Sequence, residues 1–116
     1  MSSTRQWASW TAVATAKSVI GGDAGILEGC RFLASLAHDL VSDWRLDEDF
    51  VVFGAVASEG DNFPTATARA HWNPVALERE DRKILSFEAA YREQVLKACR
   101  GVITRFGTPA VEGSDV

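Results

Sequence analysis

The chain is short of most residues from which catalytic sites are assembled. In 116 residues there are two histidines, two cysteines and one tyrosine. His38 and His71 have no second histidine or cysteine at the spacing a zinc site needs, so no metal centre of that kind is expected. Cys30 and Cys99 sit far apart in apolar stretches with no CxxC pairing, and they read as small buried hydrophobes in a reducing compartment. No GxSxG elbow and no cysteine with a positioned base is visible. The segment Gly21-Gly22-Asp23-Ala24-Gly25 lacks the Gly-Lys-Ser/Thr ending of a phosphate loop and reads as a tight connection. No catalytic residue, cofactor or metal is expected, and the chain does not read as an enzyme.

Long apolar runs are also missing. The stretch after the first tryptophan is broken by Thr15, Lys17 and Ser18, too early for a signal peptide, and no run approaches the twenty apolar residues of a membrane span. A cytoplasmic protein without membrane contact is the expectation. Positive charge is the third scarcity. Twelve lysines and arginines face sixteen acidic residues, a net charge of −4, which argues against direct nucleic-acid binding driven by phosphate neutralisation.

What is present is an ordinary globular composition, 47% hydrophobic and 24% charged, at a length that supports one core. Residues 1–107 read as one helical domain and 108–116 as a flexible polar tail. The expected fold is all-α: a small bundle of three main helices, one or two short ones, and a long C-terminal helix.

The first helix is expected over Arg5–Ile20, with Thr4 at its start, Gly21-Gly22 at its end, and a core stripe of Trp7, Trp10, Val13, Ala14 and Ile20. A second, five-turn helix places Ile26, Leu27, Cys30, Leu33, Ala34, Ala37, Leu40, Val41 and Trp44 on one face, with Asp23 capping it. The run Phe50–Ala57 has strand-like composition but no convincing partner strand. A buried helix capped from Asp47, Glu48 or Asp49 fits better, with Gly54 as its weak point.

A short helix is expected within Thr67–Trp72. Asn73-Pro74 then starts a helix running to Phe106, with the stripe Leu77, Ile84, Phe87, Tyr91, Val95, Ala98, Val102 and Phe106. Thirty-three residues make about 50 Å of helix, so its polar start must project beyond the body or bend.

Two features suggest what the domain binds. Between Asp39 and Asp61 lie seven acidic residues (Asp39, Asp43, Asp47, Glu48, Asp49, Glu59 and Asp61) and one basic residue, Arg45. This is a local −6 that leaves +2 for the rest of the chain. Its spacing matches no calcium loop. Solvated helix caps explain the acids most simply, and a recognition patch for a basic protein is the functional alternative. The four tryptophans are the second feature. Trp10 and Trp44 fit core stripes, while Trp7 and Trp72 lie near element ends, where an exposed indole serves as an interface anchor.

The stretches Ile26-Leu27-Glu28-Gly29-Cys30-Arg31-Phe32-Leu33 and Asp81-Arg82 through Tyr91-Arg92-Glu93 to Ala98-Cys99-Arg100 resemble an uncharacterised family of small helical bacterial proteins. That resemblance implies a helical fold and no activity. The functional expectation is a small acidic, non-catalytic protein that binds and neutralises a protein partner, as an inhibitor or immunity-type protein of a toxin or nuclease does. Asp39, Asp43, Asp47, Glu48, Asp49, Glu59, Asp61 and Trp72 are the expected contacts. The alternative is a homodimeric helical adaptor or regulatory module meeting its copy through the last helix.

Overall fold

The computed structural model describes residues 2–107. The expected tail, 108–116, lies outside the described residues. Among the described residues six α-helices and one 3₁₀ turn follow in order: α1 Ser2–Gly21, α2 Ile26–Ser35, α3 Ala37–Leu40, the 3₁₀ turn Trp44–Leu46, α4 Phe50–Glu59, α5 Ala66–Arg69 and α6 Pro74–Phe106. No strand occurs among the described residues. The fold is all-α with a long C-terminal helix, and Phe50–Ala57 is helical.

The core is one cluster that joins α1, α2, α3, α4 and α6. Leu33, Phe50, Phe53, Val56, Val95 and Val102 are its large, fully buried members. Phe50 and Phe53 meet edge to face at 5.5 Å, and Phe50 meets Phe106 in the same manner at 6.4 Å. Cys30 and Cys99 are free and fully buried in this cluster. Burial pushes the Cys30 thiol up to about 12 and the Cys99 thiol to about 11, so both are neutral, unreactive packing groups at neutral pH.

α6 follows its expected boundaries. Asn73 Oδ1 accepts from the amides of Val75 and Ala76 at 2.8 and 3.4 Å, and Pro74 occupies the first turn. The helix sets the longest dimension of a molecule measuring 56 × 28 × 25 Å. Its fully buried residues begin only at Val95. Phe87 and Tyr91 still pack against the core, and the turns before Phe87 run past the body, braced by the Phe63–Phe87 ring contact and by an Arg69–Asp81 pair to α5.

Three local readings change. The expected five-turn helix over residues 26–44 is interrupted at Leu36, whose amide bonds back to Leu33 and Ala34, and it ends at Leu40. The terminus is imposed from outside: the Arg5 guanidinium donates to the carbonyls of Asp39 and Leu40 at 3.2 and 3.1 Å, taking acceptors that a helix end leaves free. Asp23 makes no cap for α2. The amide of Leu27 is instead satisfied by Glu88 of α6, at 2.8 Å.

Gly54 also has a packing role. The Trp44 ring lies against it, and a Cβ there would collide with the indole. The close approach of Trp44 to α4 therefore requires the glycine.

The third change concerns α1, which begins at Ser2 rather than at Thr4. Its buried face is Ala8, Ala12, Ala16 and Val19, not the tryptophan stripe. Alanines at every fourth position let α1 settle close against α6 and α2. The helix ends with Gly22 at φ 86°, and Asp23 N–H closes onto Ser18 C=O at 2.9 Å.

Candidate functional site

The acidic residues expected to form one patch are divided by the fold. Asp47 and Asp49 face inward at the α4–α6 corner and share Arg105. Arg105 donates to Asp47 Oδ1 and Oδ2 at 2.9 and 2.7 Å and to Asp49 Oδ2 at 3.0 Å. Asp47 also accepts from the amides of Asp49 and Phe50 at 3.0 Å, capping the first turn of α4.

These donors hold the Asp47 carboxyl well down, at about 2, with the Arg105 hydrogen bonds the main cause. Asp49 is displaced upward, because burial outweighs the same arginine. The space for its carboxylate exists because Gly101 has no side chain; a Cβ there would strike both oxygens.

The other acids lie elsewhere. Asp43 caps the 3₁₀ turn, accepting from Arg45 N–H at 3.1 Å. Glu59 accepts from the Tyr91 hydroxyl across to α6. Glu48, Asp39 and Asp61 are exposed. Asp43 and Glu48 lie before α4 while Glu59 and Asp61 lie at its far end, about 15 Å along a ten-residue helix. A triple charge reversal at Asp47, Glu48 and Asp49 therefore alters the interior of the fold as well as its surface field.

One acidic stretch does keep an apolar companion. Leu46, at the tip between Asp43 and Glu48, is 85% exposed. Trp72 is 38% exposed near the start of α6, close in sequence to Val75 at 64%. The groove there is lined by Arg69, Leu77, Glu78 and Asp81, and Arg69 and Asp81 pair within it.

The largest outward aromatics lie on α1. Trp10 is 80% exposed and Trp7 54%, on the face opposite the alanine stripe. Further along the same helix, α1 and α2 form an open, shallow hollow of about 300 Å³ lined by Ala14, Thr15, Ser18, Ala24, Glu28, Gly29 and Phe32. Phe32, itself 43% exposed, forms one wall.

Neither Trp10 nor Phe32 stood out as an interface residue in the sequence. The available signal was that α1 has an apolar residue on nearly every side, a pattern proper to a helix covered all round. Here one side is open.

No group of three or more histidine, cysteine, aspartate or glutamate side chains among the described residues is arranged to hold a metal ion, and both histidines are exposed. No described helix is long and apolar enough to cross a membrane. No family model, curated protein or solved structure matches this chain.

Proposed function

We propose that this protein acts by binding another protein rather than by catalysis, with the outer face of α1 as the docking surface. The observation that carries the reading is the exposure of Trp10 and Trp7 on the helix whose following turns, with Phe32, line an apolar hollow. Solvent-facing tryptophans next to an apolar hollow are the composition of an interface centre, where a few large aromatics supply most of the binding energy. Pull-down by the tagged protein from the host lysate tests it. The captured partner should be lost with Trp7→Ser/Trp10→Ser and retained with Leu85→Ser. Capture that ignores the α1 substitutions refutes the docking surface.

A second reading, neutralisation of a basic toxin or nuclease, is favoured by one feature, the exposed Leu46 held between Asp43 and Glu48. In that reading the acids steer the encounter and Leu46 anchors it. Asp43→Lys/Glu48→Lys should slow association with the partner and flatten its dependence on salt. An unchanged rate would dismiss it.

A further inference from the structure

The α1 face has two halves that differ in relief. Its N-terminal half carries two projecting indoles, and its C-terminal half, with α2, forms the hollow whose α1 members are Ala14, Thr15 and Ser18. Protrusion and cavity lie on one surface, separated by about 12–16 Å along the helix, the rise from Trp7 to residues 15–18.

A surface bearing both a knob and a matching hole is complementary to itself once turned by a two-fold rotation, because an isologous contact places residue i on j and j on i. We infer that the occupant of this face is a second copy of the chain. The inference rests on the protein-docking reading above and names the partner. The two α1 helices run antiparallel about an axis between Thr11 and Ala14. Trp7 of each chain enters the hollow of the other, beside Phe32, and Trp10 lies across the opposing Ala14. The rim offers the Glu28 carboxylate and the Ser18 hydroxyl as acceptors for an inserted indole N–H, which a buried tryptophan requires.

Two further observations favour a copy over an unrelated chain. Lys17 and Arg5 are the only charged residues of α1, and Arg5 is engaged with the carbonyls of α3, so the meeting faces bring little like charge together. The three aromatics alone also supply a substantial part of the area. Trp7, Trp10 and Phe32, at their observed exposures, offer about 400 Å². That is half of the roughly 800 Å² each partner buries in a stable interface, before the intervening turns of α1 and α2 are counted.

The test is the solution mass of the full chain by sedimentation velocity at about 100 µM, a concentration that populates even a micromolar dimer. The expected result is twice the 12.6 kDa of one chain. Trp7→Ser, which removes the knob, and Ala14→Glu, which sets like charges near the two-fold axis, should each return it to one chain. Both sites are exposed, so helical circular dichroism should stay at the wild-type value, and the melting temperature should match that of wild type when both are diluted well below the dimer's dissociation constant, which excludes misfolding as the cause.

A dimer that survives both variants but dissociates with Val75→Ser/Leu85→Ser would overturn the inference in favour of an α6 contact. A wild-type monomer overturns it outright, and two further measurements then say what replaces it. Capture of another protein that depends on Trp10 leaves the docking surface standing with a different partner. A blue shift of tryptophan emission on neutral phosphatidylcholine vesicles assigns the face to a lipid surface. Neither response removes the docking reading as well.

Discussion

The corner between α4 and α6 and the outer face of α1 reverse each other's appearance. In the sequence the first is a run of carboxylates, Asp47-Glu48-Asp49, and the second a helix of alanines, tryptophans and valines. In the fold Asp47 and Asp49 are turned inward, while Trp10 is among the most exposed large side chains of the described residues. A carboxylate is retained inside where a guanidinium meets it with good geometry, and a tryptophan is left outside where smaller residues pack the same helix more closely. Residue polarity sets what each position costs in water. Which positions reach water depends on what the opposite element presents.

The largest expected effect follows from removing the cation that draws the acids inward. Arg105→Ala should destabilise the protein by about 2–3 kcal/mol, less than for a fully buried pair because the guanidinium is one-third exposed. Chemical denaturation checks this. A change below half a kcal/mol would mean that the corner is surface after all.

The next effect depends on pH. Asp47 lies near 2 in the fold and near 3.8 when unperturbed, so the folded state binds its proton less readily than the unfolded state. Its contribution, on the order of 2 kcal/mol, is present above about pH 4 and lost as pH falls toward 2. Asp49, shifted upward, works in the opposite sense and softens the acid transition. Asp47→Asn should therefore flatten stability between pH 4 and 2 while lowering it at pH 7. Parallel wild-type and variant curves would exclude Asp47 as the source of the acid dependence.

The smallest effects belong to the exposed members of each region. Trp10→Ser should change folding stability by less than about half a kcal/mol, since its side chain is four-fifths exposed and no buried group loses a partner. A loss of about 2 kcal/mol or more, read from the melting curve of dilute protein, would show that the indole belongs to the core of the single chain. Glu48→Lys should be equally silent in stability, in contrast to Arg105→Ala.

Some elements were legible from local chemistry alone. Asn73-Pro74 starts α6 because an Asn side chain and a missing proline N–H solve the helix-start problem within three residues. The stripe from Phe87 to Phe106 faces the body because a three-and-four spacing can bury one side only. Phe50–Ala57 was readable as helix through the absence of a strand for it to pair with. α1 was not readable in this way. Two stripes, Ala8-Ala12-Ala16-Val19 and Trp7-Trp10-Ala14, both have helical spacing, and hydrophobicity alone prefers the wrong one.

The sequence by itself determined the helical class, the limits of the long C-terminal helix, the burial of both cysteines and the scarcity of catalytic side chains. These follow from spacing, capping and composition, which act over a few residues. Tertiary structure alone decided the end of α3, the start of α2, the fate of the acids and the open face of α1. In the first three a distant partner (Arg5, Glu88 or Arg105) satisfies or neutralises a group whose own neighbours in sequence do not. In the last, the space between packed helices admits alanine more closely than tryptophan. Interactions across 34, 61 and 58 residues leave no periodic trace in the chain, and only the folded arrangement brings them together.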